Sequence, residues 1–211
     1  LRKAVFNKAE LAQFREASEV AARKAKQLSE SGHTYMLDNK RFVDNDYLTV
    51  QFEHSVDSET VRVIEPVYQL EPRFDQLLDD ARLVHPMQDI IGCEQLALWT
   101  AKLNLKRPKE GSGFGWHQDS PYWIHDSKHV DLLPNVMVAF DDANEANGCL
   151  RVIRGSHVHG CLQGTDDGSQ LGGFGGRDRA GEEPTAFIAI PTHSSPQPAS
   201  AAFIGFDVRS E

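Results

Sequence analysis

The chain has 211 residues, 40% of them hydrophobic and 25% charged, which is typical of one ordinary globular domain and excludes fibrous or disordered classes. A net charge of -9 repels phosphate backbones, so we expect no nucleic-acid partner. Three scattered cysteines form no disulfide framework, and no apolar run approaches the roughly 20 residues of a membrane span, which predicts a cytoplasmic protein without a membrane span.

The first 92 residues predict a helical cover. Asn7 and Glu10 have the spacing of a helix cap and its return partner, and apolar residues then recur every three or four positions, which predicts a helix over 8–29. Alternating residues over 47–52 predict a half-buried strand. Residues 58–91 return to a helical pattern, with Pro72 near a helix start.

From about residue 93 onward the pattern predicts a β core. Alternation over 95–106 places one set of side chains on a polar face: Thr100, Lys102, Asn104 and Lys106. If that face lines a cavity, Lys102 and Asn104 could bind a carboxylate, whereas on a solvated face they are ordinary surface residues, and we favour solvent. The basic run through Arg107 and Lys109 is open to two interpretations, a solvated edge strand or an anion-binding segment.

Two apolar segments, 136–140 and 149–153, are joined by an Asn/Gly/Asp-rich connection and predict an antiparallel pair. Several short strands at this spacing, with helices confined to the N-terminal half, indicate a barrel or jelly roll. Residues 163–183 are Gly-rich and poor in large apolar groups, which predicts a loop that could cover an active site. We therefore expect a single domain that is mainly β with N-terminal helices.

His117 and Asp119 are separated by one residue, so on an extended segment an imidazole nitrogen and a carboxylate oxygen can converge on one ion. We expect His193, far downstream, to complete the set. Two histidines and one carboxylate on one face of a metal form the facial triad of non-haem Fe(II) sites. The competing cluster, His157 and His159, has no nearby carboxylate on its face, so we interpret it as structural.

A set of motifs in this half of the chain resembles the phytanoyl-CoA dioxygenase family of Fe(II)/2-oxoglutarate oxygenases. The resemblance spans roughly 96–208 and is carried by Lys106-Arg107-Pro108, Trp116-His117-Gln118-Asp119, Asn147-Gly148-Cys149-Leu150, Ile153, Gly155-Ser156-His157, and His193 with Ser195. It implies a double-stranded β-helix, a cupin-like jelly roll, with Fe(II) bound by His117, Asp119 and His193. It also implies 2-oxoglutarate and O2 as co-substrates and succinate and CO2 as products of a hydroxylation.

The chain departs from the family pattern where an arginine is expected about ten residues past the distal histidine. Ala202-Phe203-Ile204 occupy that position, and the nearest downstream arginine is Arg209. The candidate residues for co-substrate binding are Lys102, Asn104, Ser195 and Arg209. The candidate walls of the substrate pocket are Trp116, Gln118, Tyr122 and Trp123.

The leading hypothesis is a dioxygenase that hydroxylates an unactivated C–H bond of a small organic molecule. One alternative, motivated by the missing arginine, is a degenerate family member that binds metal or ligand without turnover. Another is a cupin-like metalloenzyme that uses no 2-oxo acid. Because pocket walls in this fold are built from loops, a lipid acyl-CoA, an amino-acid derivative and a natural-product scaffold all stay open as substrates.

Overall fold

The computed structural model describes residues 1–37, 40–55, 57–123, 125–155, 188–190 and 199–208. Several residues that the sequence singles out lie outside these ranges: His157, His159, His193, Ser195, Arg209 and the Gly-rich segment 163–183. None of the described helices has the length and apolar character needed to cross a lipid bilayer.

One helix precedes the first four strands, and two further helices lie between the fourth and fifth strands. Helix α1 (Lys8–Ser29) begins as predicted, because the Asn7 side chain accepts from the backbone of Ala9 and Glu10 while the Glu10 carboxylate accepts from the backbone of Asn7. Helix α2 (Pro72–Leu78) has Pro72 in its first turn, and α3 (Ala81–Ile91) is capped by Asp80. The alanines of α1 at 17, 21 and 25 are fully buried, which lets this helix approach the sheet closely.

Within the described ranges, ten strands form two antiparallel sheets. The strands are β1 (His33–Leu37), β2 (Lys40–Asp44), β3 (Thr49–Phe52), β4 (Val61–Glu65), β5 (Leu96–Lys106), β6 (Phe114–His117), β7 (Asn135–Ala139), β8 (Arg151–Val152), β9 (Ile188–Ile190) and β10 (Ala199–Val208). The larger sheet has the order β1-β2-β3-β4-β5-β10-β7 and the smaller one the order β6-β9-β8. A short helix, α4 (Ser120–Trp123), follows β6. The fold is a jelly roll with N-terminal helices, as predicted.

The helical prediction for 58–91 is wrong at its start. Residues Val61–Glu65 form strand β4, which pairs with both β3 and β5, and the helices begin only at Pro72. Three of the five residues of β4 are β-branched, and such side chains favour a strand when neighbouring strands are available. Four strands of the larger sheet therefore come from the first 92 residues.

The predicted antiparallel pairing of segments 136–140 and 149–153 is also wrong. Strand β7 pairs with β10 in the larger sheet, while β8 pairs with β9 in the smaller one. The connection between them contains a 3-10 turn, Glu145–Asn147, with Asn144 as its cap and Gly148 in the left-handed conformation after it. This turn lets the chain leave one sheet and enter the other instead of folding back as a hairpin.

The core lies between α1 to α3 and one face of the larger sheet. Phe14 of α1, Phe74 of α2 and Phe140 after β7 form an aromatic group, with the Phe14 and Phe140 ring centroids 5.1 Å apart. Ile64, Leu103, Leu105, Ala202 and Ile204 contribute the sheet side of this core. The apolar face of β5 is thus buried beneath the helices, and its polar face must point to the other side of the sheet.

The expectation that this polar face of β5 meets solvent is wrong. Asn104 is only 8% exposed, and Lys102 and Lys106 are half-buried. Strand β5 lies between β4 and β10, so the edge-strand interpretation of the basic run is wrong as well.

The simple alternation of β5 breaks at Trp99. Leu98 pairs with Phe206 and Thr100 pairs with Gly205, which leaves Trp99 as a bulge.

Candidate active site

The His-x-Asp pair lies at the end of β6. His117 is the last residue of this strand, and Asp119 follows just beyond it. The Nε2 atom of His117 is 3.5 Å from the Oδ1 atom of Asp119, so the two side chains converge as predicted, although Asp119 lies in a bend after the strand and not in the strand itself. Both side chains are about one fifth exposed, which gives the pair access to a ligand without placing it on the open surface.

The donor atoms of this pair fit a metal ion. Nitrogen and oxygen ligands lie about 2.1 Å from a divalent metal, so two ligands at right angles are separated by roughly 3 Å, close to the distance between His117 and Asp119. Among the residues that the structure describes, no group of three metal-ligating side chains occurs. The third predicted ligand, His193, lies outside them.

Asp119 is electrostatically suited to bind a cation. Burial raises the pKa of the Asp119 carboxyl, but the hydrogen bond with His117 and the positive charge of Lys102 outweigh burial and leave the pKa below its ordinary value. The carboxylate is therefore ionised at neutral pH, which is the form that ligates a metal. Its second oxygen, Oδ2, accepts from the amide of Asn135 at 3.3 Å.

The larger sheet brings the polar face of β5 to this carboxylate. The positive charge of Lys102 helps to lower the pKa of Asp119. Within the sheet, Lys102 of β5 pairs with Phe203 of β10, and Phe203 pairs with Met137 of β7. One row further along β5, Asn104 stands opposite Ala201 and Ala139. The two candidate co-substrate residues on β5 are therefore inside the jelly roll, on the face of β5 that carries Lys102 toward Asp119.

Aromatic residues flank the His-x-Asp pair. Trp123 lies at the end of α4, and its ring is 6.2 Å from that of Trp99 in an edge-to-face arrangement. Gln118 lies between the two candidate ligands and is half-buried. For Trp116 and Tyr122 the structure describes the backbone, which places them in β6 and α4.

Sequence reasoning missed two residues of this region. Asn135 lies one residue before the apolar segment predicted as a strand, and only the tertiary structure brings its amide to Asp119. Simple alternation over 95–106 would place Trp99 on the face opposite Lys102, but the bulge breaks that alternation, and Trp99 contacts Trp123. A large aromatic side chain three positions before Lys102 was the available signal for Trp99.

The curated relatives include dioxygenases and a hydroxylase. The ectoine dioxygenase of Bordetella parapertussis is 34% identical over 101 residues, which cover 47% of this chain and 32% of that protein. The L-proline trans-4-hydroxylase of Streptomyces griseoviridis is 28% identical over 109 residues, which cover 51% and 40% of the two chains. The matched part thus spans 32% to 40% of the length of these two curated relatives.

Solved structures share the fold across nearly the whole chain. EctD from S. alaskensis with bound Fe matches with a TM-score of 0.67 and 21% identity, over 98% of this chain and 71% of that one. EvdO2 from Micromonospora carbonacea, complexed with 2-oxoglutarate, matches with a TM-score of 0.58 and 19% identity, over 96% and 82%. Because the phytanoyl-CoA dioxygenase (PhyH) family matches residues 2–170 of the 211, this chain belongs to that family.

Proposed function

We propose that this protein is a non-haem Fe(II)- and 2-oxoglutarate-dependent dioxygenase, built as one domain, that hydroxylates an unactivated C–H bond of a small organic molecule. The observation that carries the proposal is the 3.5 Å approach of His117 Nε2 to Asp119 Oδ1 at the end of β6 in a PhyH-family jelly roll. The co-products would be succinate and CO2. Relatives named as dioxygenases and hydroxylases of small molecules support this reaction class.

In this proposal Fe(II) is held by His117, Asp119 and His193. Bound Fe(II) would supply coordination positions for 2-oxoglutarate and O2. It would also supply the redox chemistry that histidine and aspartate side chains cannot provide. His117 would ligate through Nε2 and Asp119 through Oδ1, since these are the atoms that already face each other. The remaining ligand, His193, enters from the sequence pattern alone.

Lys102 and Asn104 are the described residues that we assign to the co-substrate. Each presents hydrogen-bond donors on the inner face of β5, and a carboxylate of 2-oxoglutarate needs such donors in a site sheltered from water. Ser195 and Arg209 complete the proposed contacts. The pocket for the substrate would be walled by Trp116, Gln118, Tyr122 and Trp123, and Trp99, whose ring lies 6.2 Å from that of Trp123, would extend this wall.

A spectroscopic titration tests the proposal. Anaerobic addition of Fe(II) and 2-oxoglutarate to the full-length protein should give the charge-transfer absorption of the chelate, and the variant Asp119→Ala should lose it. Its absence from the wild-type protein would overturn the proposal. O2-dependent succinate formation would then distinguish an active oxygenase from the second candidate.

That second candidate is a family member that binds metal and ligand without turnover. It is favoured by Ala202-Phe203-Ile204 in β10, where the family pattern expects an arginine for the co-substrate. Metal and 2-oxoglutarate binding with no succinate, under any substrate supplied, would support it. Metal binding that is indifferent to 2-oxoglutarate would instead indicate a cupin-like metalloenzyme.

A further inference from the structure

The two oxygens of the Asp119 carboxylate have different neighbours. Oδ1 lies 3.5 Å from His117 Nε2, while Oδ2 accepts from Nδ2 of Asn135 at 3.3 Å. An amide nitrogen can only donate, so this contact engages Oδ2 and directs Oδ1 toward the imidazole. A carboxylate held in this way would offer one oxygen, not two, to an ion beside His117.

Asn135 has room for this contact because residue 205 is a glycine. Asn135 begins β7 and stands opposite Gly205 of β10, which in turn stands opposite Thr100 of β5. A Cβ atom added at Gly205 would lie 2.7 Å from Oδ1 of Asn135 and 3.0 Å from the methyl carbon of Thr100. Its φ is not in the left-handed region, so the requirement for glycine at 205 is one of space.

We propose that Asn135 is a positioning residue that holds Asp119 as a one-oxygen metal ligand, and that Gly205 is required to admit its side chain. This inference rests on the proposed metal site. If Asp119 used both oxygens, it would occupy one of the three positions that a three-ligand site leaves for 2-oxoglutarate and O2. Asn135 would thus act on the metal through the carboxylate, without touching the ion.

The test is a calorimetric titration of the full-length protein with Co(II) alone. Asn135→Ala should raise the Co(II) dissociation constant by about 10- to 100-fold, the usual effect of removing a partner of a metal ligand. Asn45→Ala is the matched control, because it removes the hydrogen bonds of another asparagine side chain, to the backbone of Leu28, Tyr47 and Leu48, in the connection between β2 and β3. This control should leave the Co(II) dissociation constant unchanged.

Gly205→Ala supplies a second route to the same effect, because the new methyl group would displace the Asn135 amide. The two effects should not add: in the Asn135→Ala background, Gly205→Ala should change the Co(II) dissociation constant far less than it does alone. Additive effects would overturn the inference. If Gly205→Ala fails to fold, Asn135→Ala alone decides the question.

The failure of this inference is distinguishable from failure of the proposed function. Wild-type protein that binds no Co(II) would overturn both. Wild-type protein that binds Co(II), together with an Asn135→Ala variant of equal or tighter affinity, would overturn the role of Asn135 and leave the metal site intact. The midpoint of thermal unfolding without metal, compared with that of Asn45→Ala, separates a loss of affinity from a loss of folding.

Discussion

The guanidinium of Arg62 donates from Nη2 to the carbonyl oxygen of Gly113 over 2.7 Å. This contact ties β4 to the residue immediately before β6, the strand that ends in His117. Arg62 is 1% exposed and its Nε lies 3.9 Å from a carboxylate oxygen of Glu53, which is 3% exposed. Glu53 in turn accepts from the hydroxyl of Ser112 at 2.5 Å, so one buried ion pair holds the segment that leads into the candidate site.

Removing one partner of this buried pair should destabilise the protein strongly. Burial lowers the pKa of Arg62 to about 10, although the negative charge of Glu53 acts to raise it. Arg62 therefore remains charged at neutral pH. Glu53→Gln would leave that charge buried without its carboxylate, and we expect a loss of about 3–5 kcal/mol in the free energy of unfolding, measured in urea. Lys26→Met, which breaks an exposed pair with Glu59, should change stability by no more than about 1 kcal/mol. A loss equally small for Glu53→Gln would contradict the role of the buried pair.

Asp80 should make stability depend on pH. The hydrogen bonds from the Arg82 side chain hold the pKa of Asp80 below its ordinary value of 3.8, against the effect of burial. Because the folded-state pKa is the lower one, this stabilisation is present above about pH 4 and is lost as the pH falls through the folded pKa. Asp80→Asn should therefore be less stable than wild type at pH 7, and the difference should shrink in acid.

A capping variant separates charge from hydrogen bonding at the same position. The Asp80 side chain also accepts from the backbone of Arg82 at the start of α3, and asparagine can serve as the same cap. Asp80→Ala should cost about 1 kcal/mol more than Asp80→Asn at every pH tested by thermal or urea unfolding. A pH-independent difference between wild type and Asp80→Asn would show that the charge of Asp80 contributes nothing.

Truncation of the aromatic group should test how α1 is attached to the sheet. Phe140 is 1% exposed, and its ring contacts those of Phe14 and Phe74. Phe140→Ala should lower the free energy of unfolding by about 3–5 kcal/mol because it leaves a cavity between helix and sheet. Phe140→Leu, which fills most of that volume, should cost clearly less in the same denaturant titration. Equal losses for both variants would argue against a cavity as the cause.

Histidine substitutions should identify the third metal ligand. We expect His193→Ala to abolish Co(II) binding as His117→Ala does, because each removes one of only three protein ligands. His157→Ala and His159→Ala serve as controls, since these histidines form the competing cluster in the sequence. Calorimetric titration of all four variants decides between the two assignments. Retention of Co(II) affinity in His193→Ala would remove this residue from the site.

Lys102 should contribute to co-substrate binding. Its charge already acts on Asp119 from the inner face of β5, where a 2-oxoglutarate carboxylate would meet it. Lys102→Met should raise the 2-oxoglutarate concentration at half-maximal charge-transfer absorption by roughly 10-fold, as expected for one hydrogen bond to a charged group. Lys109→Met, an exposed member of the same basic run, should leave that concentration unchanged.

Features that depend on neighbours in the chain were predicted from the sequence. The capping box of Asn7 and Glu10 and the period of α1 involve contacts within three or four residues, so their pattern is visible locally. The one-residue spacing of His117 and Asp119 predicts their convergence, and the two side chains lie 3.5 Å apart although Asp119 is in a bend after β6 and not in the strand. The jelly-roll class followed from the number and spacing of short strands together with the family motifs.

Only the tertiary structure decided which distant segments meet. The sequence pattern predicts helix where β4 lies, because the five residues of β4 do not reveal that it pairs with β3 and β5. The partner predicted for β7 is wrong for the same reason, since its pairing with β10 depends on a distant segment. The contacts of Asn135 with Asp119 and of Arg62 with Gly113 join residues 16 and 51 positions apart. Local sequence sets the conformation of each element, but the burial of its faces depends on packing across the whole sheet, and that packing supplies the residues that support the site.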